Sequence, residues 1–367
     1  CVLFIDHYVP HYDKDAGSRS TFMYVKLLLA MGYRVQFMGA NFFAHAPYTL
    51  ELQQLGVEVL VGESIARGLD ACLAEHAPYI NQIFLHRPHV AEQFLPHLKK
   101  LSACPPINFV GHDLHYLRIG REAEVLGDPS LQKSADSWRQ REYAVFDQVD
   151  RIYYFSQAET DEIARHRPDL QLRTIPLHAL EEKPLPTYAP SRPGHMLFVG
   201  GFNHPPNVDA ARWFVEDILP RVSAALPDSH LHLVGSNPNS AVNALAGANV
   251  TVHGYVEDAV LESLYRDVGL AVVPLRYGAG VKGKVLEAVQ HNVPLVTTTI
   301  GAEGIPDAGD VMWIADEADA IADAVIAILN GSADTGERMA RYAGWLEQHF
   351  SRGRAEALLR ADFEGGG

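Results

Sequence analysis

Three glycines and two lysines crowd the start of "RYGAGVKGKVLEAVQHNVPLVTT", Arg276 to Thr298, directly ahead of a helical pattern. Gly278, Gly280 and Gly283 spell G-x-G-x-x-G, and a glycine-rich strand-to-helix turn lets backbone N–H groups close on a phosphate. A helix start adds about half a positive charge at that point, and Lys282 and Lys284 add whole ones. Lys284 and Glu287 share one helix face, where an ammonium can meet a diphosphate and a carboxylate can accept from ribose hydroxyls. The same spacing also describes an ordinary exposed ion pair. As a dinucleotide fingerprint the match is poor: "RY" separates the first glycine from the strand, and the next strand tip offers Thr297 to Thr299 in place of an acid. What survives is a phosphate-binding turn, with a helix expected to begin near Val281.

The rest of the chain makes that segment stand out. Its 45 acidic and 30 basic residues give a formal charge of -15. Nucleic acid and anionic membranes both call for a broad basic face, so neither is an expected partner, and an anionic ligand must be held locally. Cys1, Cys72 and Cys104 are odd in number and widely spaced, with no C-x-x-C, so neither disulfides nor zinc are expected and a reducing, cytoplasmic setting fits. No run of about 18 apolar residues is present and no signal peptide is evident. A chain opening on Cys1 leaves room for additional domains or an anchor in something longer.

The elements that must position the turn follow a βαβ grammar. "CVLFID", a polar loop "HYVPHYDKDAGSRS", the amphipathic "TFMYVKLLLAMG" and "YRVQFMG" read as strand, loop, helix and strand. The pattern restarts after Pro193 with "HMLFVGG", "FNHPPN", a helix and "HLHLVG". Two starts predict two parallel-sheet domains. The proline-rich "EEKPLPTYAPSRPG", Glu181 to Gly194, reads as their linker. Further strands are expected at "VEVLVG", "INQIFLH", "PINFVG" and "RIYYFS", then at "VTVHG", "LAVVPL" and "PLVTT". Gly336 to Phe363 reads as one longer terminal helix, and the final Gly365 to Gly367 as a tail.

"GAGVKGKVLEAVQHNVPLVTTTIGAEGI" resembles the donor-site segment of GT-B glycosyltransferases of the retaining family 4 type (glycosyl transferases group 1). "LFVGGFNHPPN", "LHLVGSNP", "VTVHGYVED", "LYRDVGLAVVPL", "DAGSRST" and "FVGHDLHYLR" agree in family order from about residue 2 to 330. The resemblance implies an α/β GT-B fold, two Rossmann-like domains facing a central cleft. Residues 1–185 would form the acceptor-side domain, 186–335 the nucleotide-sugar donor domain, and 336–364 a helix crossing back to the first. It also implies residue roles. Glu287 matches the second glutamate of the family's E-x7-E motif, a ribose ligand, while the first is replaced by Ala279. The family's arginine and lysine after the first donor-domain strand are replaced by Gly200, Gly201 and Asn203, so Lys282 or Lys284, with Arg276 third, would supply the missing charge. Gly280, Val281 and Gly283 would hold sugar and phosphate, and Gly254, Tyr255 and Val256 the base.

In the first domain, Gly17 would approach the diphosphate, with Ser18 and Arg19 flanking it on the acceptor side. His112 matches the strand-end histidine that meets the donor sugar. Asp113 is a candidate helper, and His115, Arg118, His86 and Arg87 are candidate acceptor-side residues. A metal on His112, His115 and Asp113 is not expected, since GT-B enzymes usually need none. The resemblance thus implies a retaining glycosyltransferase that uses a UDP-, GDP- or dTDP-sugar as co-substrate and holds no permanent cofactor. Its acceptor would be a glycan or lipid-linked molecule, as in bacterial surface polysaccharide synthesis, in the cytoplasm or in peripheral contact with the inner face of its membrane. Two rivals stand beside it: a nucleotide-sugar 2-epimerase using Asp6, His7, Asp13 and Asp15, and a non-catalytic nucleotide- or glycan-binding domain marked by Ala279.

Overall fold

The computed structural model describes residues 1–364. The chain divides into two compact units, one made of Cys1–Ala123, Asp128–Glu181 and the segment from Phe350 onward, the other of Glu182–His349 with the short segment Glu124–Gly127.

The first unit is a parallel sheet of seven strands: β1 (Val2–Asp6), β2 (Val35–Gly39), β3 (Glu58–Leu60), β4 (Gln82–His86), β5 (Ile107–Val110), β6 (Arg151–Tyr154) and β7 (Leu172–Thr174), in the order β3-β2-β1-β4-β5-β6-β7. All five residues of β1 are buried, as expected of a central parallel strand covered on both faces. The strand order reverses between β1 and β4, and at such a switch point the strand ends leave a crevice for ligands. Asp6 ends β1 and His86 ends β4, so the topology brings them together.

The second unit is a six-stranded sheet of β8 (Arg192–Val199), β9 (His230–Val234), β10 (Val250–Gly254), β11 (Val268–Val273), β12 (Leu295–Thr297) and β13 (Trp313–Ile314), in the order β10-β9-β8-β11-β12-β13. Its switch point lies between β8 and β11. The turn after β8 carries Gly200 and Gly201, and the segment after β11 carries the glycine-lysine turn. Both expected Rossmann-like parallel sheets are therefore present.

Three local readings change. The first helix runs Ala16–Ala30, because Asp15 accepts a hydrogen bond from the Ser18 N–H and caps it five residues earlier than the apolar periodicity indicates. Gly17, Ser18 and Arg19 thus lie in a helical first turn and not in a loop. The terminal segment is three helices, Thr335–Met339, Tyr342–Phe350 and Arg352–Glu364. It breaks at Ser351 because Leu180 takes the backbone: the Leu180 N–H donates to the Phe350 carbonyl at 2.7 Å, and the Arg352 N–H donates to the Leu180 carbonyl at 2.8 Å. The last helix packs on the first sheet through Asp362, which accepts from the Tyr153 hydroxyl at 2.8 Å and Arg173 Nε at 2.9 Å. The short edge strands β7 and β13 escape the periodicity because two or three residues carry no alternation.

Candidate active site

The phosphate-binding helix of the second unit spans Gly283–Gln290, two residues later than the predicted start. Gly278 and Gly280 take the positive φ values of 150° and 72° that the turn requires. No side chain caps this helix, and its first turn holds no acid. Asp15, Asp128, Asn239, Thr298 and Asp334 cap their helices. Others such as Pro88–Leu98 and Pro205–Trp213 also lack a side-chain cap, so the two lysines and not the missing cap set this start apart. The Val285 N–H donates to the Lys282 carbonyl at 2.9 Å, and the earlier amides with the helix dipole are what this start offers an anion.

Both lysines fold inward. The Lys282 ammonium donates to the Ala279 carbonyl at 3.2 Å and to that of Gly280, bracing the turn from within. Lys284 reaches across to the β8 end, where it donates to Asn207 Oδ1 and lies 4.8 Å above the Phe198 ring. The Asn207 amide in turn donates to the Gly201 carbonyl at 2.8 Å. A Cβ on Gly200 would stand 2.6 Å from Lys284 Nζ, so glycine there makes room for the ammonium. Burial, reinforced by Lys282 and opposed by Glu287, pulls the Lys284 pKa down to about 7. A cation this poorly compensated gains much from an arriving diphosphate. Asn207 was missed by sequence reading; its signal was the sixth position after Gly201, in the first turn of the Pro205–Trp213 helix.

Glu287 lies on the same helix and accepts from the Tyr265 hydroxyl at 3.1 Å, while the Tyr265 ring stacks on His291 at 4.3 Å. Tyr265 is the second residue sequence reading missed. Arg276 goes elsewhere: it is exposed, paired with Asp209 through Nε at 2.9 Å and through Nη2, and its guanidinium covers Trp213. Asn203 is exposed, Tyr255 is 42% exposed, Val256 is half-buried, and the Gly254 carbonyl already accepts from the Gly235 N–H at 2.9 Å.

In the first unit the strand ends gather a charged network. Asp6, 2% exposed, accepts at Oδ1 from Arg87 Nε at 2.8 Å and the His7 N–H at 2.7 Å, and at Oδ2 from Thr21 at 3.1 Å. Burial opposes the Asp6 charge, but the Arg87 guanidinium and the His7 hydrogen bond overrule it and hold the carboxyl well below its usual range. Arg87 has φ 63°, a left-handed conformation costing about 1–3 kcal/mol in a non-glycine residue, which the Asp6 pair helps to hold. His86 Nδ1 lies 3.2 Å from His112 Nε2. Gly17 closes this group: a Cβ there would sit 2.8 Å from Arg87 Nη2 and 3.0 Å from His112 Nδ1. Asp6, His86 and His112 are also a group whose ligand atoms all lie within 4.8 Å, a possible metal set, although the adjoining guanidinium opposes a second cation.

The remaining first-unit candidates form a separate arrangement. Asp113 accepts from Arg118 at 2.8 Å. His115 is stacked on Trp138 at 4.3 Å and lies 3.1 Å from Glu142, whose fully buried carboxylate also accepts from the His115 and Tyr116 N–H groups. Glu142 thereby tethers the start of the His115–Leu126 helix. Of the carboxylates an epimerase would use, Asp6 holds Arg87, Asp13 accepts from Tyr48 at 2.7 Å, and Asp15 caps the first helix. Ser18 is buried and bonded to Asp15 at 2.7 Å; Arg19 is exposed.

Residues 193–331, within the second unit, match the family "Glycosyl transferases group 1". An uncharacterized 44.6 kDa protein in the cps region of Klebsiella pneumoniae is 29% identical over 117 residues, 30% of this chain and 30% of that protein's length. Sucrose-phosphate synthase from Thermosynechococcus elongatus superposes with a TM-score of 0.76 at 17% identity, covering 99% of this chain and 98% of that one. Anabaena HepE in complex with UDP and glucose gives 0.70 at 13% identity, with 99% of both chains covered. TarM gives 0.73 at 10% identity, covering 99% and 98%. The chain has the fold of the GT-B glycosyltransferases, and its residues 193–331 match glycosyl transferases group 1.

Proposed function

We propose that the protein is a nucleotide-sugar-dependent glycosyltransferase that retains anomeric configuration and needs no metal. The observation that carries this reading is Lys284: an ammonium drawn toward the Gly200 turn, its pKa lowered to about 7, beside an uncapped helix start. In sugar transfer the difficult event is departure of a nucleoside diphosphate from C1. Fixed positive groups at the departing phosphates stabilise the charge as it develops, without reorganising at that moment. Lys284 and the first amides of the Gly283–Gln290 helix supply such groups. Glu287, oriented by Tyr265, is placed to accept from ribose, and the acceptor proton passes to the leaving phosphate.

Binding of UDP and glucose by HepE supports a nucleotide-sugar donor. The Klebsiella relative in a cps region supports a role in surface polysaccharide synthesis with a glycan or lipid-linked acceptor, in the cytoplasm or at the inner face of its membrane. Among the described residues no helix is long and apolar enough to cross a membrane. The residues proposed for the donor are Gly17, Gly200, Gly201, Gly280, Val281, Lys282, Gly283, Lys284 and Glu287, joined by Asn207.

The test is calorimetric titration with UDP, GDP, dTDP, ADP and NAD, followed by donor turnover. One nucleoside diphosphate is expected to bind, with Lys284→Ala and Glu287→Ala each lowering affinity about tenfold or more while the fold is retained. Equal binding by both variants overturns the placement. Tight binding without any turnover supports the non-catalytic rival, and C2 epimerisation of UDP-N-acetylglucosamine without acceptor supports the epimerase.

A further inference from the structure

The pair His86 and His112 admits two proton arrangements, and the surroundings distinguish them. His86 is 3% exposed; its Nδ1 lies 3.2 Å from His112 Nε2 and 3.9 Å from Asp6 Oδ2, while its Nε2 is buried with no hydrogen-bond partner. If the His86 proton sat on Nε2, a buried N–H would be left unpaired and the Nδ1 lone pair would face the Asp6 carboxylate. With the proton on Nδ1, the N–H faces the carboxylate and donates to His112 Nε2, and the atom left unpaired is only a lone pair. Orphaned buried donors are the rarer and costlier case. His112 Nε2 is then an acceptor, so in the neutral ring its own proton is on Nδ1. That nitrogen faces Gly17, at 3.0 Å from where a Cβ would be, on a ring that is only half-buried.

We infer that His86 is a positioning residue: anchored beside Asp6, it fixes His112 as the Nδ1–H tautomer, so that His112 acts on substrate as a hydrogen-bond donor and not as a base. The step from tautomer to catalysis rests on the transferase reading; the tautomer itself does not. Burial keeps both rings neutral, lowering His86 to about 4 and His112 well below its usual value. A neutral donor suits a sugar hydroxyl or ring oxygen, which carries no full charge. Asp6 cannot fill the His86 role, because its ionised carboxylate only accepts and, facing His112 directly, would favour the opposite tautomer.

The test is long-range ¹H–¹⁵N correlation on the full chain labelled at histidine, with the His112 signals assigned by their loss in His112→Gln. Wild-type protein and His86→Asn, whose amide N–H stands in for Nδ1–H, are expected to show His112 protonated on Nδ1. His86→Leu is expected to shift His112 toward the other tautomer, and to lower kcat about tenfold with little change in KM for donor. Rescue of kcat by His86→Asn separates positioning from general damage. His112 protonated on Nε2 in the wild-type protein overturns the proposal even if the leucine variant fails to fold, as does an unchanged tautomer in a folded His86→Leu. Micromolar Zn²⁺ binding that perturbs both histidines overturns it in favour of a metal site. Absence of any turnover would remove the transferase reading and leave the tautomer result standing.

Discussion

Arg87 in the first unit and Lys284 in the second are both drawn out of solvent at the ends of parallel strands, yet they are compensated differently. Arg87 meets the Asp6 carboxylate at 2.8 Å, and burial of the pair is matched by charge. Lys284 meets an amide oxygen and an aromatic face. The paired cation builds the site, and the under-compensated one is available to a ligand. The comparison predicts unequal costs of removal. Arg87→Leu leaves Asp6 buried without its partner and is expected to destabilise the first unit by about 3–5 kcal/mol. Amide hydrogen exchange, which reports each unit separately, measures this. A loss below about 1 kcal/mol would mean that Asp6 does not depend on Arg87.

Protons offer a second way to probe the same contrast. His86 in the first unit and His232 in the second are both lowered to about 4, chiefly by burial. His86 has Asp6 near it; His232 lies between His195 and His253, each at 2.9 Å, and receives only like charge. Each is neutral in the folded chain and takes a proton more readily when unfolded. Stability is therefore complete above the unfolded pKa of about 6.5 and falls as pH drops from there toward 4, by up to about 3 kcal/mol for each buried ring. Replacing His232 with Gln should flatten that acid slope in the second unit and leave the first unit's slope unchanged, as followed by exchange between pH 7.5 and 5. An unchanged second-unit slope would show that His232 titrates normally.

Lys284 itself gives the next smaller effect. Lys284→Met removes a charge that the unliganded protein holds poorly, so stability should change by about 1 kcal/mol or less. With its amine pKa near 7, diphosphate binding should draw a proton onto Lys284 above pH 7, and nucleotide affinity should weaken as pH rises through 7 to 9. Calorimetry in buffers of different ionisation enthalpy reads the proton uptake, which Lys284→Met should abolish. Uptake persisting in that variant would assign the proton to another group.

The sequence made the two sheets and the glycine-lysine turn legible because both are local: apolar runs mark strands, and Gly278, Gly280, Lys282 and Lys284 lie within seven residues. What each charge does was not local. Asp6 and Arg87 are 81 residues apart, Lys284 and Asn207 are 77 apart, and periodicity says nothing about such pairings. Glu142 reads as a polar residue on a long helix, yet it is fully buried, holding the backbone of another helix. The break at Ser351 is likewise set by Leu180. The Asp15 cap was different, since Asp15 and Ser18 have cap spacing in the sequence itself and the apolar period simply begins later.

Arg276 is where local charge and available charge part most clearly. It stands at the head of the glycine-lysine stretch, and by sequence it is the third candidate for the diphosphate after the two lysines. In the fold it is exposed and held by Asp209, 67 residues away, with Trp213 beneath it. An exposed ion pair contributes about 0–1 kcal/mol and is screened by salt. Arg276→Ala should therefore change stability by less than about 1 kcal/mol and nucleotide affinity by less than about threefold, in contrast to Lys284→Ala. The measurement is one calorimetric titration per variant with the same nucleotide. A tenfold loss in Arg276→Ala would mean that the guanidinium leaves Asp209 when ligand arrives, and the distinction between a paired structural cation and a waiting one would no longer separate these residues.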